Sequence, residues 1–210
     1  MLPGECFLSN FISAVILAAG QGTRIGRQKL LLTLGGKTII EIAVAAALGS
    51  KVSETIVVLG HQSEEIAQVL KGLPVKTVFN PDYRLGQSTS LISGIKAINP
   101  KSDAFLVVLG DQPFVTSLLI DQLIDFYERS LCLIARPQFQ EIPGHPVLFN
   151  TSLIPELLNN LKGDIGAREI IARHQDKVSL MRIKNESASK DIDTYGDYQT
   201  AKEYYSKTLK

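Results

Sequence analysis

Short runs of apolar residues alternate along the chain with segments in which apolar residues recur at helical spacing. Continuous apolar runs predict strands that are covered on both faces; these are SAVILAA (13–19), ETIVVLG (54–60), VKTVFN (75–80) and DAFLVVLG (103–110), with SLCLIAR (130–136) as a weaker fifth. Helical periodicity predicts helices between them, over 38–48, 62–71, 87–98 and 116–129. Strand and helix alternating at this spacing indicate right-handed crossovers, and therefore a mostly parallel sheet.

The alternation changes after about residue 135. IPGHPVLFN is typical of a turn that enters a strand, and a helix is predicted from Thr151. GDIGAREIIARHQ predicts another helix, KVSLMRIK a strand and TYGDYQTAKEYYSK a C-terminal helix. We therefore expect an α/β protein of Rossmann-like architecture, with residues 13–210 as a single domain and 1–12 as an N-terminal extension.

Composition and charge exclude several classes of function. The formal net charge of +1 over 210 residues is unlike the basic surface that duplex nucleic acid requires. The apolar runs are too short to span a bilayer, and the first residues lack the pattern of a signal peptide. Cys6 and Cys132 lie in unrelated contexts, which favours unpaired thiols in a reducing compartment. We expect a cytoplasmic protein that binds neither nucleic acid nor membranes.

The segment AVILAAGQGTRIGRQKLLLTLGG (14–36) passes from a strand into a loop. The loop has glycines at 20, 22 and 26, and it carries the cations Arg24 and Lys29. Such a loop follows the carboxyl end of a strand, where α/β proteins bind ligands, and its backbone amides can approach an oxyanion. A Walker A loop is disfavoured because Lys29 comes three residues after Gly26. A dinucleotide fingerprint is disfavoured because the third glycine is one residue late and VVLGHQ lacks the acid that binds ribose.

LAAGQGTRIGRQKLLLTLGG resembles the signature of small nucleotidyltransferases, which the chain matches at Leu17, Ala18, Ala19, Gly20, Arg24, Gly26 and Lys29. Five further motifs follow in the family's order: LGQSTSLISGI (85–95), LGDQPFVT (109–116), GHPVLF (144–149), GDIGAR (163–168) and DIDTYGDY (191–198). Together they resemble the molybdenum cofactor cytidylyltransferase family. The resemblance covers nearly the whole chain from about residue 13, and LAAG in place of LAGG favours cytidine over guanosine.

The resemblance implies a fold like that of nucleotide-diphospho-sugar transferases and transfer of CMP from CTP to the terminal phosphate of molybdopterin, with release of pyrophosphate. It implies nucleotide binding by the first loop, by the start of the 87–98 helix and by the end of the 103–110 strand. The residues expected to bind nucleotide are Leu17, Ala18, Ala19, Gly20, Gly22, Thr23, Arg24, Lys29, Ser88, Ser90, Gly110 and Asp111. CTP and the molybdopterin cofactor are the expected partners, with a molybdoenzyme or its maturation chaperone as a further one.

This reaction brings two anions together, so the site needs fixed cations and a metal held by carboxylates. We expect Arg24, Lys29 and Asp111 to be catalytic: the two cations grip phosphate oxygens, and Asp111 holds Mg²⁺, with Mn²⁺ as the alternative. DIDT offers a second carboxylate in Asp191 or Asp193, and the resemblance favours Asp193 as a metal ligand. The alternatives are solvated surface cations, a turn capped by Asp111 and a helix capped at 193–194.

The acceptor is expected to contact His145, held between Gly144 and Pro146, and Arg168 in the GDIGAR motif. Ile165 departs from the family's pattern because a cation is common at that position. Guanylyl transfer, transfer to another phosphorylated acceptor such as a sugar phosphate, a non-catalytic cofactor carrier and an NAD-type oxidoreductase remain as alternative functions.

Overall fold

A computed structural model of the protein describes residues 10–20, 28–130, 132–184 and 190–208. Ten strands are described: β1 (Ile12–Ala18), β2 (Thr33–Leu34), β3 (Lys37–Thr38), β4 (Glu54–Leu59), β5 (Lys76–Phe79), β6 (Ala104–Leu109), β7 (Ile134–Phe139), β8 (Ile142–Pro143), β9 (Val147–Asn150) and β10 (Val178–Ile183). Seven α-helices accompany them: α1 (Ile39–Leu48), α2 (Ser63–Val69), α3 (Gln87–Ile95), α4 (Ser117–Arg129), α5 (Ile154–Asn160), α6 (Arg168–Arg173) and α7 (Tyr195–Thr208).

The main sheet has the strand order β10-β7-β9-β6-β1-β4-β5, with β8 paired to β7. β1 pairs in parallel with both β4 and β6, and β5 and β10 also pair in parallel with their neighbours. β9 runs antiparallel between β6 and β7, while β2 and β3 form a separate small hairpin. The prediction of a mostly parallel α/β sheet with flanking helices is therefore confirmed.

The two faces of the sheet are covered by different helices. On one face α1, α2, α4 and α7 pack over a core that includes Ile16, Leu106 and Leu148. On the other face α3, α5 and α6 pack over Phe105, Phe149 and Ile134. Because side chains alternate along each strand, neighbouring residues of β6 enter opposite cores. Within the described part of the chain, no helix has both the length and the apolar composition needed to cross a membrane.

Most predicted elements agree with the structure to within one or two residues at each end, although α3 ends at Ile95 rather than 98. The fifth strand was misplaced: it lies at Ile134–Phe139 rather than at 130–136. The end of α4 explains the shift, because the backbone N–H of Ser130 and its hydroxyl both donate to the carbonyl of Phe126. The start of the apolar run thus belongs to a helix terminus.

Candidate functional site

The carboxyl ends of the central strands surround a cavity of about 660 Å³. β1 supplies its floor, the 83–87 segment after β5 forms one wall, and the residues after β6 form another. Its lining is Leu17, Ala18, Ala19, Gly20, Gln28, Lys29, Leu30, Tyr83, Arg84, Leu85, Gly86, Gln87, Ser90, Leu109, Asp111, Asp164 and Asp193. Parallel α/β sheets bind ligands at this edge.

Lys29 and two aspartates form a charged cluster in this cavity. The Nζ of Lys29 lies 2.6 Å from Oδ2 of Asp111 and 3.1 Å from Oδ1 of Asp193. Only 11% of the Lys29 side chain is exposed, against 27% for Asp111 and 42% for Asp193. Burial opposes the charge of Lys29, but the charge of Asp111 and hydrogen bonds to both carboxylates outweigh it and raise the lysine's pKa. The ammonium therefore stays charged throughout the neutral pH range.

Asp111 is placed by the close pairing of β1 and β6. Leu17 and Leu109 are register partners, and the N–H of Gly110 donates to the carbonyl of Leu17 at 3.0 Å. A Cβ at Gly110 would lie 2.9 Å from that carbonyl oxygen, so a side chain at this position would force the two strands apart. Glycine here lets the chain leave β6 close to β1 and directs Asp111 into the cavity.

Asp193 is placed by the segment that precedes α7. Ile192 is buried in the core, and its N–H donates to the carbonyl of Asp111 at 3.3 Å. Thr194 caps α7, since its hydroxyl accepts from the N–H of Asp197 while the Asp197 carboxylate accepts from Thr194. Thr194 and Asp197 therefore cap the N-terminus of α7, and the Asp193 carboxylate contacts Lys29 instead.

Asp191, the other acid of DIDT, is not among the residues that line the cavity. Its carboxylate accepts a hydrogen bond from the amide of Gln112. Burial raises the pKa of Asp191, and the negative charges of Asp111 and Asp193 raise it further. Among the described residues, no group of three or more His, Cys, Asp or Glu side chains forms a metal centre; two carboxylates, however, are sufficient for Mg²⁺, which uses one or two of them together with substrate phosphates and water.

Two of the sequence motifs meet in a tight contact beside the cavity. Gly86 has φ = 110°, and a Cβ there would lie 2.5 Å from the backbone of Gly163. The N–H of Ser88 donates to the carbonyl of Gly163, and the Ser88 hydroxyl donates to that of Lys162. Asp164 accepts from the N–H of Gln87 at 3.0 Å. The start of α3 is thus joined to the GDIGAR segment.

The structure brings some predicted residues together and separates others. Ser90 lines the cavity and accepts a hydrogen bond from Asn80, whereas the buried Ser88 lies outside the lining with its hydroxyl directed to Lys162. Gly110 is not among the lining residues, but it directly precedes Asp111, which is. Gly22, Thr23 and Arg24 fall outside the described residues.

Neither His145 nor Arg168 is among the residues that line the cavity. His145 is largely buried with its Nδ1 unpaired. Burial lowers the pKa of His145 to about 4, and the charges of Arg136 and Arg168 also lower it, against the opposing effects of a hydrogen bond with the Val107 backbone and the charge of Asp111. The imidazole is therefore neutral at neutral pH.

Sequence analysis did not single out several polar cavity residues. Gln28 donates to the carbonyl of His61 at 3.1 Å, and the guanidinium of Arg84 lies 5.6 Å from the centroid of the Tyr83 ring. Tyr83 and Arg84 directly precede the LGQSTS motif, and their position after a predicted strand was the available signal.

Residues 14–178 match the model of a known protein family, the MobA-like NTP transferase domain. Among characterised relatives, nicotine blue oxidoreductase of Paenarthrobacter nicotinovorans is 30% identical over 87% of this chain and 92% of its own length. The molybdenum cofactor cytidylyltransferase of Escherichia coli is 26% identical over 93% and 97%.

Solved structures with the same fold are also known. A homologue of the Mycobacterium tuberculosis protein Rv0371c, from Mycobacterium sp. strain JC1, has a TM-score of 0.84 at 28% identity and covers 94% of this chain and 98% of its own. Rv0371c itself, in complex with manganese, has a TM-score of 0.79 at 25% identity over 92% and 98%. The chain belongs to the family of MobA-like NTP transferase domains.

Proposed function

We propose that this protein transfers CMP from CTP to the terminal phosphate of molybdopterin and releases pyrophosphate. The observation that carries the proposal is the convergence of Lys29, Asp111 and Asp193 in a cavity at the carboxyl edge of a parallel sheet. The cytidylyltransferase relative and the ordered sequence motifs support the choice of substrates.

In this proposal CTP lies against Ala18, Ala19 and Gly20, and its triphosphate contacts Lys29. The ammonium neutralises phosphate charge as pyrophosphate leaves, and its burial strengthens this electrostatic effect. Arg24 and Arg84 supply further positive charge, and Ser90 contacts the nucleoside. The acceptor phosphate is already an anion, so the displacement needs no strong general base.

Asp111 and Asp193 are the residues proposed to hold a divalent cation. Their carboxylates already converge on one cation, the Lys29 ammonium, so the donor set fits Mg²⁺ or Mn²⁺. The related Rv0371c was crystallised with manganese, which supports a divalent ion of this kind. When bound, such an ion would stabilise the negative charge that builds up on the phosphates.

The direct test is incubation with CTP labelled at the α-phosphate, Mg²⁺ and molybdopterin. We expect the label to appear in a cytosine dinucleotide of the cofactor with an equal amount of pyrophosphate. Unlabelled GTP should compete poorly with CTP, and strong competition would favour guanylyl transfer. Turnover with a sugar phosphate but not with molybdopterin would show that the acceptor is a sugar phosphate. Binding of both ligands without pyrophosphate release would favour a carrier.

An oxidoreductase is the second candidate, because the 30%-identical relative carries that name. The chain leaves β4 through Gly60, His61 and Gln62, without the acid that usually binds the ribose of NAD. A thermal-shift comparison separates the two candidates: CTP with Mg²⁺ should raise the Tm, whereas NADH and NADPH should leave it unchanged. The reverse pattern would favour the oxidoreductase.

A further inference from the structure

The C-terminal helix α7 contacts both of the segments that follow the first two members of the charged cluster. Tyr198 and Tyr205 lie about two helical turns apart on α7, so both side chains project from the same face of the helix. Tyr198 and Ala201 of this face are buried in the core. The match to the family model ends at residue 178, so that model does not cover this helix.

Tyr198 holds the segment that follows Lys29. Its hydroxyl donates to the carbonyl of Thr33 at 3.0 Å, at the start of the hairpin of β2 and β3. A single 3₁₀ turn over Lys29–Leu31 separates this carbonyl from Lys29. Because the connection is so short, the hydroxyl of Tyr198 restricts where the ammonium of Lys29 can lie.

Tyr205 holds the loop that follows Asp111. Its hydroxyl donates to the carbonyl of Pro113 at 2.6 Å. The next residue, Phe114, packs its ring edge-on against that of Tyr204 at 5.2 Å between centroids, and at 5.7 Å from that of Tyr205. Burial raises the pKa of Tyr205 to about 12, so the hydroxyl keeps its proton and remains a donor. α7 thereby fixes the loop from which the Asp111 carboxylate projects.

The third member of the cluster leads directly into α7. Asp193 lies two residues before the helix begins, and the N–H of Ile192 donates to the carbonyl of Asp111 at 3.3 Å. The Nζ of Lys29 bonds to the carboxylates of both aspartates. Three segments distant in the chain therefore meet at one point, and each of them is bonded to α7 or continues into it.

We propose that α7 positions the charged cluster for ligand binding, with Tyr205 as the positioning residue of its cation-binding side and Tyr198 as that of its phosphate-binding side. The inference rests on the proposed function, in which Asp111 and Asp193 hold a divalent cation and Lys29 binds the triphosphate. Mg²⁺ demands nearly ideal geometry from its ligands, and residues behind the ligands hold them in that geometry. Loss of either hydroxyl frees one segment of the cluster while the others stay in place, so the spacing of the charged groups becomes variable.

Two binding measurements test the two tyrosines. Tyr205→Phe keeps the ring beside Phe114 and removes only the hydroxyl, and we expect its affinity for Mn²⁺, measured from the electron paramagnetic resonance signal of the free ion, to fall about threefold or more. Tyr198→Phe should lose affinity for inorganic triphosphate to the same extent, measured by calorimetric titration with a chelator present. Such a loss corresponds to one neutral hydrogen bond.

Tyr127→Phe is the matched control for both measurements. The hydroxyl of Tyr127 accepts from the side-chain amide of Asn150 at 2.8 Å, and Asn150 pairs with Ala104 at the opposite end of β6 from Asp111. This variant also loses a tyrosine hydroxyl bond, so its Tm should fall while its affinity for both probes remains that of the wild type. Wild-type affinity of either folded tyrosine variant of α7 for its probe, or an equal loss in Tyr127→Phe, would overturn the inference.

The dependence of turnover on Mg²⁺ gives an independent measurement. In Tyr205→Phe the Mg²⁺ concentration at half-maximal rate should rise, and saturating Mg²⁺ should restore kcat because excess ion compensates for weaker binding. A merely structural role would lower the Tm and leave the Mg²⁺ dependence unchanged, which would contradict the inference. Tyr198→Phe keeps the bond of Tyr205 to Pro113, so it tests α7 even if Tyr205→Phe does not fold.

The binding measurements also separate this inference from the proposed function, because neither uses CTP or molybdopterin. A wild-type protein that binds both probes but transfers no CMP would contradict the proposed substrates, and the inference would still be decided by the two variants. Transfer of CMP with probe affinities that are insensitive to both tyrosines would contradict the inference alone. A wild-type protein that binds neither probe would overturn both.

Discussion

Replacing Lys29 with alanine removes the cation on which Asp111 and Asp193 converge. Its Nζ makes two charge-assisted hydrogen bonds, of 2.6 and 3.1 Å, and is nearly enclosed. A hydrogen bond to a charged group contributes about 1.5–3 kcal/mol, and about 1.36 kcal/mol in barrier height is a factor of ten in rate. In the proposed reaction this ammonium binds the triphosphate, and on that proposal we expect turnover to fall ~10²-fold or more.

The assay is pyrophosphate release at saturating CTP, Mg²⁺ and acceptor, combined with calorimetric titration of CTP. Lys51→Ala is the matched control, because Lys51 also forms a lysine–aspartate pair, with Asp125 at 2.5 Å, but with a side chain that is 54% exposed. It precedes β4 and so lies at the opposite edge of the sheet from the cavity. Turnover of Lys29→Ala within about threefold of the wild type would refute the assigned role of this lysine.

Three further predictions concern the tight contacts and the buried imidazole. A Cβ at Gly94 would lie 2.3 Å from Cγ1 of Val15, so Gly94→Ala should destabilise the fold by about 1–3 kcal/mol, measured by urea unfolding; an unchanged midpoint would contradict close packing of α3 on β1. Gly86→Ala should strain the left-handed backbone and push α3 from Gly163, and we expect weaker CTP binding in titrations; wild-type affinity would show that this contact does not shape the cavity. His145 has its pKa lowered to about 4, so the unfolded chain binds the proton more readily, and stability should be lost as the pH falls from about 6.5 to about 4. In His145→Gln this part of the pH dependence, at most about 3 kcal/mol, should disappear from unfolding curves measured across that range, and an unaltered profile would exclude a buried neutral imidazole.

Sequence periodicity predicted the central strands because parallel strands are buried on both faces and therefore read as apolar runs. It misplaced β7, since Arg136, Pro137 and Gln138 interrupt the apolar pattern inside that strand. It did not predict the antiparallel direction of β9, because pairing between β6 and β7 depends on contacts distant in the chain. The hairpin of β2 and β3 was missed because two-residue strands carry no measurable period.

The charged cluster was partly accessible from sequence. Lys29 and Asp111 both follow predicted parallel strands, whose carboxyl ends share one edge of the sheet, so their proximity across 82 residues could be expected. Ser88 was harder to assign, since a hydroxyl at a helix start can bind a ligand or a neighbouring carbonyl, and here the carbonyl of Lys162 accepts it. The contacts of Arg136 could not be predicted from sequence, because they depend on the loop that carries Pro143 and Gly144.

The position of the triphosphate is the central claim, and a crystal structure with a non-hydrolysable CTP analogue and Mg²⁺ tests it most directly. We predict phosphate density in the cavity between Gly20 and Lys29, with the metal ion on the carboxylates of Asp111 and Asp193. Phosphate density elsewhere on the molecule, with the bonds from Lys29 to both aspartates intact, would contradict the account.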